Sequence, residues 1–130
     1  MHASNNKHKT HYANKNAVAL KAFFKITEKW GLSSDQEMIL LGVPESTFYR
    51  WKDKKNGSLS KDTLERISYI LGIYKALRIL LPSEKAAHEW IKKNNSAVLF
   101  GGKTALDKLM KGHVVDLADV RRYLDAERGW

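Results

Sequence analysis

The chain has 130 residues, which suffices for one ordinary domain or for two small units that share a core. It contains no cysteine, and this excludes both a disulfide scaffold and a cysteine-ligated zinc site. The formal net charge of +9 favours polyanionic partners, above all nucleic acid. No apolar run approaches the roughly 18 residues that span a bilayer, so we expect a cytoplasmic protein with no membrane contact.

The first part of the chain is polar and strongly basic. Residues 1–15 show no helical periodicity, and we expect a disordered tail there, in which the scattered histidines form no metal site. The next segment, 16–31, places large side chains at helical spacing with lysines on the opposite face, and Gly31 ends the helix. Its inward side chains are Leu20, Phe23, Phe24, Thr27 and Trp30, and its lysines are Lys21, Lys25 and Lys29.

Two short helices with a tight turn are predicted next. Ser34 and Glu37 have the form of a capping box, which starts the first of these helices. Gly42 supplies the turn, and Pro44 suits the first position of a second helix over residues 45–54. This arrangement is the outline of a helix-turn-helix unit.

The second of these helices has the composition of a DNA-reading element. Arg50 suits a bidentate contact with guanine, the hydroxyl side chains suit bases or phosphates, and the lysines at the helix end suit backbone phosphate. Glu45 is discordant, since phosphate repels an anion at the start of such a helix. One unit covers few base pairs, so we expect a homodimer on paired half-sites. The candidate DNA contacts are Ser46, Thr47, Tyr49, Arg50, Lys52, Lys54 and Lys55.

Capping residues divide the remainder of the chain into further helices, and no stretch shows sustained β alternation. We expect Gly72 to break the helix that follows Ser60 into two. The sequence therefore predicts an all-α protein, with a helix-turn-helix bundle over 16–82 and a small helical domain over 83–130. The predicted caps are Ser60, Ser83, Thr104 with its partner Asp107, and Asp116.

A family resemblance rests on the order of motifs in the second half. Glu89 and Trp90 are followed by an asparagine-rich break, then by "FGGKTALDKLMKG" and "DLADVRRYLDAERGW". This pattern resembles the toxin-binding domain of the Xre/MbcA/ParS antitoxins, and the first half resembles the Xre-like helix-turn-helix that these proteins carry. Ala105 and Asn95 stand where the family often has proline.

The resemblance implies an antitoxin of a type II toxin–antitoxin system, most often paired with a RES-domain toxin that destroys NAD. In such pairs the C-terminal region of the antitoxin covers the toxin's active site, and the helix-turn-helix represses the shared operon. Carried onto this chain, the toxin contacts fall in the signature turn, the last helix and the tail. They are Phe100, Gly101, Gly102, Arg121, Arg122, Tyr123, Asp125, Arg128 and Trp130.

The composition of the last helix supports the same surface. The apolar residues of this helix recur at helical spacing and face the core. Arg121, Arg122 and Asp125 therefore point away from the core, and Tyr123 lies off the apolar stripe. Arginine, tyrosine and tryptophan are enriched at interface hot spots. Trp130 either packs on its own core or fills a cleft of the partner, and the resemblance favours the partner.

Catalysis is not expected. The acidic residues Asp107, Asp116 and Asp119 fall at predicted helix starts, and neither His88 nor His113 has partners at metal-ligand spacing. The "GGKT" segment lacks the spacing of a phosphate loop, so no cofactor is expected. Two other functions stay open: a stand-alone repressor of phage or plasmid type whose second half only oligomerises, and a partner-binding module that has lost DNA affinity, which Glu45 permits.

Overall fold

A computed structural model describes the backbone of residues 3–129 and the side chains of residues 15–129. Within these residues the chain is all-α, as predicted, and its one extended pairing is a bridge between Asn94 and Thr104. No helix in this part of the chain is long and apolar enough to cross a bilayer. The helices are α1 (Ala3–Lys29), α2 (Ser34–Leu41), α3 (Glu45–Lys54), α4 (Lys61–Leu80), α5 (Glu84–Glu89), α6 (Ala105–Leu109) and α7 (Val114–Glu127), with a 3-10 turn at Trp90–Lys92.

Helix α1 is longer than the sequence predicted. It begins at Ala3, so residues 3–15, which we expected to be a disordered tail, continue the helix. Neither glycine nor proline occurs in residues 3–29, and so no residue of low helix propensity stops the helix from extending beyond its packed part. The packed part is as predicted: Leu20, Phe23, Phe24, Thr27 and Trp30 are all buried.

The start of α2 differs from the prediction by one residue. Ser33 is the capping residue: its Oγ accepts from the backbone N–H of Gln36 at 3.2 Å, and Gln36 Oε1 accepts from the N–H of Ser33 at 2.9 Å. The sequence offers two overlapping boxes of equal spacing, and the fold selects this one because Glu37 is buried against other helices. The predicted turn at Gly42 is confirmed, with a φ of 67°.

Helix α4 is continuous, so the predicted break at Gly72 is wrong. Gly72 is buried in the middle of the helix, and the guanidinium of Arg121 from α7 lies where its side chain would be. A Cβ on Gly72 would stand 1.6 Å from Arg121 Nη1. The glycine therefore permits the close approach of α7 and does not interrupt α4.

Both halves of the chain contribute to one hydrophobic core. Ser60 and Ser83 cap α4 and α5 as predicted, with each Oγ 3.1 Å from the backbone nitrogen that it binds. Helix α4 packs against α1 and α2 from the N-terminal half of the chain and against α7 from the C-terminal half. The largest fully buried side chains come from both halves: Leu20, Phe23, Trp30, Leu40, Leu41, Phe48, Ile67, Ile70, Ile73, Leu77, Ile91 and Leu109.

Arg66 joins the helix-turn-helix to the loop between α6 and α7. Its Nη1 donates to the carbonyl of Gly112 at 2.8 Å and to that of Ile39 at 3.4 Å, while its Nε pairs with Asp62 at 2.9 Å. A Cβ on Gly42 would lie only 2.7 Å from Arg66 Cζ. Arg66 therefore joins the turn of the helix-turn-helix to the C-terminal helical domain.

Helix α7 starts earlier than predicted, at Val114, with His113 in the capping position. Asp116 is not a cap: it is buried and accepts from Lys108 Nζ at 3.0 Å, and Asp119 lies 3.3 Å from the same nitrogen. Burial is the largest single influence and would lower the pKa of Lys108, but the hydrogen bonds and negative charges of these two carboxylates together raise that pKa above its usual value. The pairing fixes α6 against α7.

Candidate functional site

The outward face of α3 is open to solvent. Phe48 and Trp51 are buried and fix the orientation of the helix. Ser46, Tyr49, Arg50, Lys54 and Lys55 are exposed, and Thr47 is half-buried. Among the described residues, no hydrogen bond or ion pair ties Arg50 or Lys54 to the rest of the molecule. These side chains are therefore available to a ligand without breaking an existing bond.

Lys52 is the exception within the predicted DNA-binding set. Its Nζ lies 2.8 Å from Glu37 Oε1 and 3.3 Å from Ser34 Oγ, both on α2. Only 6% of the Glu37 side chain is exposed, and its second carboxylate oxygen accepts from the hydroxyl of Thr27. A buried carboxylate requires such a partner. Lys52 therefore neutralises Glu37 while 37% of its own side chain stays exposed, and its contact with backbone phosphate stays a prediction.

The presence of a glutamate at position 45 is explained by its place at the start of α3. It is exposed in the first turn of α3, and Pro44 in the capping position provides no side-chain hydrogen bond. A carboxylate near the N-terminus of a helix is stabilised by the unpaired N–H groups there. Glu45 therefore supports α3 and gives no evidence against a DNA-binding role.

The signature turn in the second half is held rigidly from behind. Phe100 is buried, and its ring meets those of Trp90 and Tyr123 edge to face, with centroids 5.8 and 5.2 Å away. Gly101 and Gly102 both have positive φ, at 58° and 83°, and nothing lies within 4 Å of the position of a Cβ on either. Phe100 is thus an anchor, whereas the two glycines are exposed, with their N–H groups donating to the carbonyls of Ala97 and Asn95.

The structure accommodates Asn95 and Ala105, the two residues that stand where the family often has proline. The side-chain oxygen of Asn95 accepts from the N–H of Ala97 at 2.9 Å, and its backbone N–H donates to the carbonyl of Lys103 at 2.9 Å. Ala105 is buried as the first residue of α6, directly after the predicted box in which Thr104 and Asp107 cap each other's backbone. The loop therefore keeps a defined geometry without proline.

The end of α7 is more internally bonded than predicted. Arg121 Nε pairs with Asp125 Oδ2 at 3.0 Å above Gly72, and Arg128 Nη1 lies 3.7 Å from Asp125 Oδ1. Tyr123 packs on the core and stacks on Trp90 with the centroids 6.4 Å apart. We expected Arg121 and Asp125 to point away from the core and Tyr123 to lie off the apolar stripe. The structure instead places Arg121, paired with Asp125, in the space at Gly72, and Tyr123 on the ring of Trp90.

Arg122 fits the prediction of an outward residue. Its side chain is 76% exposed and makes one long contact with Asp119, at 3.3 Å. Trp130 lies outside the described residues.

Two surface features escaped the sequence reasoning. Val98 stands at the tip of the signature loop with its side chain 98% exposed. A groove of about 210 Å³ runs between the end of α4, Trp90 and α7. No sequence signal marks either feature, since the groove joins residues that are distant along the chain. Its lining is Leu77, Leu80, Leu81, Trp90, Tyr123, Leu124 and Glu127.

No metal-binding cluster of three or more histidine and carboxylate side chains occurs among residues 15–129. His88 Nε2 instead lies 3.0 Å from the hydroxyl of Tyr74, and its ring stacks on that tyrosine. Asp107 is occupied in the cap of α6. The histidines of the first 14 residues lie outside the described side chains.

The geometry defines a helix-turn-helix protein with a second helical unit built onto the same core. The family model of the antitoxin Xre-like helix-turn-helix domain matches residues 10–72, and that of the antitoxin Xre/MbcA/ParS C-terminal toxin-binding domain matches residues 76–129. The chain is also 51% identical over 111 residues to the uncharacterized protein y4oB of Sinorhizobium fredii (strain NBRC 101917 / NGR234), which covers 85% of this chain and 84% of that protein. The chain belongs to the Xre-type antitoxins: it is a toxin–antitoxin antitoxin with a helix-turn-helix domain.

Proposed function

We propose that this antitoxin neutralises a RES-domain toxin by covering its NAD-degrading active site, and that it represses its own operon as a homodimer in the cytoplasm. The observation that carries the proposal is that one hydrophobic core holds both an exposed outward face on α3 and a toxin-binding domain whose signature turn is packed from behind by Phe100. The family descriptions support a toxin and DNA as partners, and the choice of a RES toxin follows from the resemblance.

On the DNA side, we propose a reading role for the exposed residues of α3. Arg50, which is exposed, contacts a guanine edge, and Ser46, Thr47 and Tyr49 beside it contact bases or phosphates. Lys54 and Lys55 follow on the phosphate backbone. Lys52 contributes indirectly, since it holds α3 against α2 through Glu37.

On the toxin side, we propose that the contact surface consists of the exposed groups around the signature turn and α7. The space beside Gly101 and Gly102 and the side chain of Arg122 are accessible to a partner. Phe100, Tyr123, Arg121, Asp125 and Arg128 then act from behind by holding this surface in place. Trp130 stays a proposed contact that reaches the toxin from the end of the chain.

The decisive experiment separates the two activities with Arg50→Ala. We expect this variant to lose about 1–3 kcal/mol of discrimination between operator and scrambled duplex, which is one bidentate base contact. Fluorescence anisotropy on both duplexes measures that loss. Growth rescue and co-purification with the co-expressed toxin from the adjacent gene should be unchanged. Simultaneous loss of both activities would contradict the assignment of Arg50 to DNA alone.

A stand-alone repressor is the second candidate. It is favoured by the internal bonding of Arg121, Asp125 and Tyr123, which uses much of the predicted toxin surface to build the fold. In that case the second half supports or oligomerises the DNA-binding unit. Co-expression decides between the two: a protein that binds its operator yet neither rescues growth nor co-purifies with the adjacent gene product is a repressor only.

A further inference from the structure

The outer face of α1 carries a row of lysines that are not among the proposed DNA contacts of α3. Lys21, Lys25 and Lys29 follow one another at a spacing of four residues, so they are neighbours on one side of the helix. Like charges at this spacing destabilise a helix. Lys29 is relieved by the hydroxyl of Tyr74 and the carboxylate of Glu84. Within the described residues no such partner is found for Lys21 or Lys25.

This row adjoins the end of α3. The ammonium of Lys55, the residue that ends α3, lies 5.6 Å from the centre of the Phe24 ring, and that of Lys52 lies 5.8 Å from the same ring. Lys21 precedes Phe24 by three residues, which is about 4.5 Å along the axis of α1. Phe24 itself is buried, so Lys21, about 60° round the helix axis from it, lies at the border between α1 and the end of α3, and Lys25 and Lys29 continue the row away from that border.

The excess of positive charge on this surface favours a polyanionic partner. The exposed carboxylates closest along the two helices are Glu28 on α1 and Asp53 on α3, which leaves the combined face with an excess of lysine. Duplex DNA presents about one phosphate charge per 1.7 Å of its axis, so a helix lying along it meets several phosphates. Because the row starts at the border with the reading helix, duplex DNA fits it better than a separate acidic protein.

We propose that α1 is a second phosphate-binding element, in which Lys21 and Lys25 hold the DNA backbone beside the site read by α3. The inference rests on the proposed DNA binding and extends it to a surface outside the two helices of the reading unit. These lysines add affinity without sequence discrimination, because they meet phosphates and no base edge. Their loss should therefore affect all duplexes alike.

The test compares two double variants of equal charge. Lys21→Gln with Lys25→Gln removes the α1 pair, and Lys75→Gln with Lys85→Gln removes two exposed lysines from α4 and α5. Binding to a fluorescein-labelled 30-bp duplex of random sequence is followed by anisotropy across a series of sodium chloride concentrations. The readout is the slope of log Kobs against log salt, which changes by about 0.9 for each phosphate contact.

We expect the α1 double variant to give a slope shallower than the wild type by about 1.8, while the control double variant keeps the wild-type slope. Equal slopes for the two double variants would overturn the role of α1 and leave the DNA-binding proposal intact. Absence of salt-dependent binding by the wild type would overturn the DNA-binding proposal itself. Melting temperatures of all three proteins establish that each is folded.

Discussion

The outward face of α3 and the end of α7 carry similar arginine- and tyrosine-containing sequences, yet the fold treats them differently. On α3, Arg50 projects into solvent with no internal partner within the described part of the chain. On α7, Arg121 lies over Gly72 and pairs with Asp125, and Tyr123 stacks on Trp90. A position opposite the buried stripe of a helix is therefore not automatically available to a ligand. The neighbouring elements decide whether it is.

The cause of the difference is the surroundings of each helix. Only one side of α3 is covered, by α1 and α2. Of the two lysines near that border, Lys52 pairs with Glu37, and Lys55 lies over the ring of Phe24. Helix α7 is flanked by α4 on one side and by the aromatic cluster on the other. Its side chains therefore meet neighbours over a wider arc.

The largest expected effect concerns the aromatic anchor behind the signature turn. We expect Phe100→Ala to lower the free energy of unfolding by about 3–5 kcal/mol, because it removes a buried ring between Trp90 and Tyr123. Urea denaturation measures this change. Val98→Ala, in the same loop but fully exposed, is the matched control and should stay within about 0.5 kcal/mol of the wild type. Similar losses for both variants would mean that Phe100 is not an anchor.

The second effect separates the lysines of α3. Lys52→Met leaves the buried carboxylate of Glu37 without its cationic partner, and we expect a loss of about 1–3 kcal/mol in the free energy of unfolding. Lys54→Met should leave stability unchanged and weaken DNA binding. Denaturation and anisotropy on the same two proteins test both statements. A stable Lys52→Met variant with weakened DNA binding would restore the original assignment of Lys52 to phosphate.

The third effect compares neighbouring arginines of α7. The Arg121–Asp125 pair is partly exposed, so Arg121→Ala should cost only about 0.5–1 kcal/mol in the free energy of unfolding. Arg122→Ala should cost less still, because its side chain is largely in solvent. We expect Arg122→Ala, however, to weaken toxin neutralisation more than Arg121→Ala does. Equal protection of growth by both variants would place the contact elsewhere on the domain.

The smallest effect is a pH dependence at the start of α6. The hydrogen bond from the backbone of Thr104, aided by its hydroxyl, holds the pKa of Asp107 below the usual 3.8. The stabilisation by this carboxylate is thus complete above pH 3.8 and is lost as the pH falls through the lower, folded-state pKa. An NMR titration should give a midpoint for Asp107 below 3.8. A midpoint at or above that value would show that the capping box does not form.

Local interactions explain what the sequence could predict. The caps at Ser60, Ser83 and Thr104 were predicted and are confirmed, because a capping residue acts on a backbone group within three positions. Gly72 and Asp116 were misread, because their roles depend on Arg121 and Lys108 in other helices. Single-residue chemistry cannot distinguish a glycine that breaks a helix from one that admits a neighbour.

The same limit applies to the candidate site. The residue types of α3 were sufficient to single out Arg50 and Lys54, and the structure leaves both side chains exposed. They could not identify the partner of Lys52, although Glu37 shares a helical face with Leu40 and Leu41, and a carboxylate on such a face is a signal that a cation must lie opposite. The groove beside Trp90 depends on the packing of α4 against α7, which no short sequence pattern encodes.

Helix α4 has a consequence for how antitoxins of this kind can be recombined. Both matched regions meet between residues 72 and 76, in the middle of this 20-residue rod. A chimera joined at that boundary would fuse half-helices from two parents and mismatch the faces that they bury. A viable hybrid should inherit residues 61–80 from a single parent, with the junction moved into the loop before Ser60 or after Leu80.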